Sequence, residues 1–348
     1  MNKVSIGEAI GNMPSDLLYK EDTALIDNST GIGIEVEIEN CLYAELRQSP
    51  TTPLMSRFIH EDDVPLPDLK TFWKVVKDGS LREGTEFIFS GPLVGANIVN
   101  ALQKLDDFFK AYINPRNNRG VTSSDRCSIH VHLDVRRLSD EELTNLILVY
   151  LLFERFIFLA IDPSRIKNNY CRPLTDSSFK YILNEMLNIS NNQDRLIRIL
   201  QSVAAQCDKY SALNILPITS KGSVEFRHHQ GTTEPLKLIN WINIIFCIKE
   251  AAKNYKVTQL IEHYENDGLQ SLINLVFNNI KVYDETPTKL MDVQYLINSG
   301  VNDVKEIIYM GALSNTDKGI KSRTRPINTL LYKFKAKHNL IKVEKGEK

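Results

Sequence analysis

Three glutamates recur at every second position of one short segment: Glu35, Glu37 and Glu39 alternate with apolar residues between positions 31 and 40. Successive side chains of a β-strand point to opposite faces, so this spacing predicts carboxylates on one face, roughly 7 Å apart, and an apolar face against a core. Carboxylates so placed repel one another unless a cation lies between them. Hard cations such as Mg²⁺ or Mn²⁺ suit oxygen ligands of this kind. A solvent-facing acidic strand explains the same spacing equally well.

A second alternating segment, residues 127–134, carries histidines. Ser128, His130, His132 and Asp134 share one predicted face, and the apolar residues between them share the other. Two histidines spaced in this way on a strand can hold a metal or donate to phosphate oxygens. Two half-exposed histidines bonded to their neighbours would give the same pattern.

A third segment, residues 223–227, places Glu225 and Arg227 on one face. Such a pair is most often a plain salt bridge. In a functional interpretation, Glu225 binds a metal and the planar guanidinium of Arg227 binds a phosphoryl group through two hydrogen bonds. Residues 228–233 are interpreted as a polar turn into the next helix, with Thr233 as its N-cap.

The remaining pattern predicts the elements that must position these residues. The predicted strands are residues 31–40, 72–77, 85–89, 127–134, 210–218 and 223–227. The predicted helices cover residues 96–112, 139–161, 176–206 (two helices), 235–255 and pieces of 257–312. Ser139 and Glu142 form a predicted capping box. Because strands often follow strands, the order favours an α+β fold with an antiparallel sheet over a doubly wound parallel sheet.

Composition narrows the class of protein. The chain has 348 residues, a net charge of -1 and 43% hydrophobic residues, which gives no global electrostatic case for nucleic acid. The most apolar stretch, residues 146–153, is too short for a membrane span. Five scattered cysteines without a CxxC pair argue against a disulfide framework or a structural zinc site, so a reducing cytoplasm is expected.

We divide the chain into a lead-in (residues 1–30), a catalytic domain (31–315) and a basic tail (316–348). The tail is expected to be a solvated surface or to bind an acidic partner.

The motifs in their order resemble the amidoligase family, a branch of the glutamine synthetase-like carboxylate–amine ligases. The resemblance covers roughly residues 30–250. It rests on GIEVE from Gly33, on Trp73 with DGSL from Asp78 and Glu86-Phe87, on CSIHVHLD from Cys127, on Arg165 with Asn169-Tyr170, and on VEFR from Val224. Ser128 and Gly91 depart from the family pattern at turns or strand edges.

The resemblance implies a glutamine synthetase-like antiparallel sheet with the active site on one face and helices on the other. It implies ATP and Mg²⁺ (or Mn²⁺), with metal ligands at Glu35, Glu37, Glu86, His130 and Glu225. It also implies that Arg227 stabilises the transferring phosphoryl group and that His132 lies near the nucleotide phosphates. Glu35, Glu225 and Arg227 are the expected catalytic residues.

Arg165 and Asn169, after the long helix, are candidates for binding substrate or nucleotide. A polar loop start is an equally good interpretation of both.

The implied reaction joins a carboxylate, of a small molecule or peptide, to an amine through an acyl phosphate. Three alternatives stay open: a phosphotransferase on the same fold, a metal-dependent hydrolase using the two histidines, and a binding protein without activity. The helical HExxH spacing of zinc hydrolases is absent from the sequence. Neither the substrates nor the oligomeric state follow from the sequence.

Overall fold

The computed structural model describes residues 25–46, 69, 71–166, 168–174, 183, 187, 199–203, 207, 209–277 and 287–314. Residues 1–24 of the predicted lead-in, the predicted basic tail and most of the predicted helices in 176–206 lie outside these residues.

Six strands form one sheet in the order β2-β3-β1-β4-β6-β5, and neighbouring strands all run antiparallel. The strands are β1 (Ile32–Glu39), β2 (Trp73–Val76), β3 (Gly84–Phe89), β4 (Ser128–Asp134), β5 (Leu213–Asn214) and β6 (Ser223–Gln230). The predicted α+β class with an antiparallel sheet is therefore confirmed.

The helices supply most of the core beneath the sheet. They are α1 (Tyr43–Leu46), α2 (Ala96–Ala111), α3 (Asp140–Ile157), α4 (Pro235–Asn254), α5 (Val257–Phe277) and α6 (Pro287–Ser314). Ser139 and Glu142 form the predicted capping box at the start of α3. Trp73 and Trp241 are each 1% exposed, as expected for core residues.

Helix α3 is the central helix of this layer. It is long and apolar enough to cross a membrane by length and composition alone, but 78% of its most apolar window is buried within the fold. It packs against α4 and α6. Gly300 permits a close approach of α6, because a Cβ at that position would lie only 2.1 Å from the carbonyl oxygen of Leu152.

Two boundary predictions around β5 and α4 are wrong. The predicted strand over residues 210–218 is only β5, and a 3₁₀ helix, Leu216–Thr219, follows it. Pro217 lacks the N–H that a central strand position would need. The N-cap of α4 is Glu234 rather than Thr233, and Pro235 occupies the first turn.

The predicted polar turn at residues 228–233 is also wrong at its start, because β6 continues to Gln230. Between the pairs Ile129↔His229 and Val131↔Phe226 the register shifts by one residue. Two residues of β6, Arg227 and His228, therefore lie opposite the single residue His130. This β-bulge interrupts the alternation of faces, so His228 and His229 are both buried.

Candidate active site

Pairing of the strands collects the predicted site residues on the sheet face opposite the helices. In the register, Glu35 lies opposite His130. Glu37 lies opposite Glu86, and His132 lies opposite Glu225. Directly opposed residues share a face of a sheet. The structure thus brings together all five predicted metal ligands.

Glu35 joins the two histidines of β4. Its Oε2 lies 3.0 Å from Nδ1 of His130, and its Oε1 lies 3.1 Å from Nε2 of His132. Burial opposes ionisation of Glu35, but the hydrogen bonds to these histidines outweigh it and hold the pKa of this carboxyl well below its usual range. Glu35 is therefore a carboxylate at neutral pH.

Glu37 is held by Ser128 at the start of β4. The amide and the hydroxyl of Ser128 both donate to Oε2 of Glu37, at 2.8 and 2.6 Å. Because the hydroxyl proton of Ser128 is donated to Glu37, the hydroxyl oxygen accepts from Nε2 of His130 at 2.8 Å. Burial alone would lower the pKa of His130, but its hydrogen bond to Glu35 raises it. Both ring nitrogens of His130 therefore act as donors in this arrangement.

Glu225 is the centre of a second set of contacts. Its Oε1 accepts from Nη1 of Arg227 at 2.5 Å and lies 3.3 Å from Nδ1 of His130. Its Oε2 accepts from Nδ2 of Asn214 on β5 at 2.6 Å. Glu225 is 4% exposed, and these neighbours orient it toward Glu35 and the histidines.

Side-chain donors converge in three groups of metal-ligating type. The groups are Glu35 with His132 and Glu225, Glu35 with Glu86 and His130, and Glu37 with Asp78 and Glu86; within each, one ligand atom per residue lies within 4.8 Å of the others. Glu35 and Glu86 each belong to two groups. Groups rich in carboxylates with an imidazole fit Mg²⁺ or Mn²⁺.

Glu86 shows why these groups suit a cation. Burial and the nearby charges of Glu35 and Glu37 raise the pKa of Glu86 to about 8. Burial likewise raises the pKa of Glu37. The carboxylates are thus close enough to oppose one another's ionisation, and a divalent cation between them would relieve that repulsion.

A cavity of about 540 Å³ opens beside these groups. Glu35 and His132 line it, and the missing side chain of Gly33 leaves room beside His132. Ile88 and Pro92 contribute apolar surface to its wall. The volume lies within the range of small-molecule sites.

Three basic residues surround the same cavity: Lys74, Arg136 and Lys221. Lys74 and Lys221 are exposed, and the ammonium of Lys221 lies 3.6 Å from Oε1 of Glu35. Arg136 is paired with Asp134 at 2.6 Å. The cavity is thus lined by basic and apolar residues, and Glu35 and His132 of the first ligand group are part of its lining.

The residues predicted to bind cofactor are not all in this cavity. His132 lines it, but Arg165 does not, because its guanidinium is directed to the backbone of β6. Asn169 is exposed on the loop after that arginine and belongs to none of the three ligand groups. Glu39 also belongs to none of them, and its Oε1 is buried without a partner among the described residues.

Sequence reasoning gave no firm role to Asp78, Ser128 or Asn214. Asp78 follows β2 in a turn where its Oδ1 accepts from the amide of Ser80 at 2.5 Å, and it is one of the ligand-type residues near Glu86. From the sequence, Asp78 was equally a hairpin turn residue or a functional acid, and the pairing of β2 with β3 brings it to Glu37 and Glu86.

Comparison with known families gives one match. Residues 97–248 match the family model described as "Putative amidoligase enzyme". The matched segment includes His130, Arg165, Glu225 and Arg227, while β1 and β3 precede it. This match supports the predicted family over that segment, and no curated protein matches the chain.

Proposed function

We propose that this chain, which belongs to the amidoligase family over residues 97–248, joins a carboxylate to an amine at the expense of ATP. The observation that carries the proposal is the convergence of three carboxylate-rich ligand groups, with Arg227 bonded to one of their members, next to a cavity that Glu35, His132 and several basic residues line. A nucleoside triphosphate needs this combination, because its phosphates require both fixed cationic groups and divalent cations.

The chemistry follows from the poor leaving ability of carboxylate oxygen. Transfer of the γ-phosphoryl group of ATP to the carboxylate would form an acyl phosphate and release ADP. The amine would then attack the acyl carbon and expel phosphate, which leaves the amide. The protein's part in such transfers is mainly to position the reactants and to neutralise charge.

Glu35, Glu37, Glu86, His130 and Glu225 would hold Mg²⁺ or Mn²⁺. When bound, the cations would supply charge neutralisation at the phosphate oxygens. His132 and Lys221, which both lie near Glu35, would orient the phosphates. The amine must lose a proton, and a carboxylate of these groups is its acceptor.

Arg227 is proposed to meet the charge that develops on the phosphoryl oxygens. Its side chain is 15% exposed, its Nη1 donates to Glu225 and its Nε donates to the carbonyl of Tyr170 at 3.4 Å. A guanidinium held in this way retains donors for a ligand and needs little reorganisation during transfer.

The first test is metal-dependent nucleotide binding. Mg·ATP at 100 times its Kd should stabilise the protein by about 2.7 kcal/mol, and ATP with EDTA should give no such stabilisation in a thermal-shift measurement. Equal shifts under both conditions would contradict the proposal. Glu225→Gln should lose the metal-dependent part, while the exposed Glu234→Gln serves as the matched control.

The second test separates a ligase from a phosphotransferase. ADP release should depend on both a carboxylate and an amine when the protein is incubated with a library of metabolites and peptides. Mass spectrometry should then detect an amide product. ADP release that is unaffected by amines would favour a phosphotransferase. We place the reaction in the cytoplasm, where ATP is abundant and the five free cysteines would stay reduced.

A further inference from the structure

The β-bulge of β6 sits at a chemically important position. Arg227 and His228 together lie opposite His130, so the extra residue of β6 lies at or directly next to Arg227. Bulges redirect side chains and weaken the local ladder of hydrogen bonds. A bulge here must be fixed from outside the strand if Arg227 is to keep one orientation.

Arg165 supplies contacts to both residues of the bulge. Its Nη2 donates to the carbonyl of Arg227 at 2.8 Å, and its Nε donates to the carbonyl of His228 at 3.0 Å. Arg165 is only 3% exposed, so these bonds form away from water. Charged donors make stronger hydrogen bonds than neutral ones, and the planar guanidinium fixes the direction of each bond.

The segment that carries Arg165 also contacts the ends of the same region. The amide of Asp162 donates to the side chain of Gln230, the last residue of β6, at 3.1 Å. The carbonyl of Tyr170 accepts from Nε of Arg227. Arg165 therefore holds the backbone of the bulge, and the backbone of Tyr170 holds the Arg227 side chain.

We propose that Arg165 is a positioning residue that holds the bulge of β6 through the carbonyls of Arg227 and His228 and so aims the Arg227 guanidinium at the ligand groups. The part of this inference that concerns binding of a phosphoryl group by Arg227 rests on the proposed function. It gives Arg165 a role through the backbone rather than through contact with nucleotide.

The first experiment needs no nucleotide. Hydrogen–deuterium exchange is compared between the wild-type chain and Arg165→Ala, with Arg165→Gln as the second variant if the first does not fold. The amides of residues 226–230 should exchange about tenfold faster, because hydrogen bonds to a charged donor have been lost at the bulge. Amides of β1 and β3 should remain within about twofold of wild type. Unchanged exchange at residues 226–230, or a uniform rise over the whole sheet, would overturn the inference.

The matched control is Arg155→Ala. Arg155 lies on α3 and pairs with Asp303 of α6 at 3.2 Å, away from the bulge. Its loss removes one arginine from the helix layer, and it should leave the exchange of residues 226–230 unchanged. Arg165→Lys should be intermediate, because an ammonium lacks the fork that reaches two carbonyls at once.

The second experiment measures the effect on Arg227. Wild-type protein should bind Mg·ADP with aluminium fluoride, a mimic of the transferring phosphoryl group, more tightly than Mg·ADP by at least about a hundredfold. Arg165→Ala and Arg227→Ala should each lose most of this difference, and the double variant should lose no more than Arg227→Ala alone. Affinity for Mg·ADP should stay within about threefold.

These results separate the two proposals. If wild-type protein binds neither ligand, the proposed function fails, and the exchange experiment still decides whether Arg165 holds the bulge. If wild type distinguishes the two ligands and Arg165→Ala does so equally well, the positioning role is refuted while the proposed function stands.

Discussion

Binding of divalent cations should release a proton from Glu86. Burial and the charges of Glu35 and Glu37 raise the pKa of this carboxyl to about 8 in the cation-free protein. A cation binds the ionised form, so affinity should rise with pH. With this pKa, Glu86 is about 90% protonated at pH 7 and about 10% protonated at pH 9. The apparent affinity should therefore be about tenfold weaker at pH 7 than at pH 9, and roughly a hundredfold weaker at pH 6.

The assay is a Mn²⁺ titration in non-chelating buffers, followed by the electron paramagnetic resonance signal of free Mn²⁺. Glu86→Gln should bind more weakly at pH 9 and should lose most of the pH dependence. Glu83→Gln, an exposed glutamate of the same hairpin, should behave as wild type. The residual slope belongs to His130 and Glu37, whose pKa values are also raised.

The same shift has a consequence for stability. A carboxyl whose pKa is raised on folding contributes stability below its unfolded value, and this contribution is lost as the pH rises through about 8. The thermal midpoint of the cation-free protein should fall between pH 7 and pH 9, and Mn²⁺ should restore it. A flat affinity across pH 6–9, or an undiminished slope in Glu86→Gln, would refute this reasoning.

Two further predictions concern the scaffold. Burial opposes ionisation of Asp27, but its bond to Lys249 at 2.7 Å helps hold the pKa of Asp27 well below its usual range. This stability exists above about pH 4 and is lost as the pH falls. Lys249→Met should cost about 3 kcal/mol at pH 7 and shift acid unfolding, followed by circular dichroism, to higher pH; an unchanged midpoint would contradict it. Gly300→Ala should cost at least about 1–3 kcal/mol in urea unfolding, because the new methyl meets the carbonyl of Leu152. Gly79→Ala is the control, because a methyl at that position has open space around it. Equal stability of the two variants would contradict the close packing of Gly300 against Leu152.

The alternating strands were the predictable part of the fold. In β1 and β4 the apolar residues recur with a period of two, and the buried face follows directly from that pattern. The type of each site residue was equally visible. The register was not, because the position of Glu35 opposite His130 depends on pairing between residues 95 apart in the chain.

The β-bulge explains why the predicted turn at residues 228–233 was wrong at its start. The extra residue in β6 reverses which side chains face each side of the sheet beyond it. The polar residues at 228–230 were therefore interpreted as a turn. Burial lowers the pKa of His228 to about 3, which keeps it neutral in the core. Tyr150 lies 2.9 Å from its Nε2 and satisfies that nitrogen. The backbone contacts of Arg165 could not be predicted for a related reason, because its partners are carbonyls whose arrangement the bulge creates.

The sharing of carboxylates among the ligand groups should limit how many cations the proposed site accepts before nucleotide binds. The three groups contain five carboxylates, from Glu35, Glu37, Asp78, Glu86 and Glu225. Because the guanidinium of Arg227 pairs with Glu225, two divalent ions balance the remaining negative charge, whereas a third would exceed it. Polyphosphate is the natural source of the missing anions. Stoichiometry should therefore rise from two ions to three only when the nucleotide arrives, so that the last ion and the nucleotide enter together.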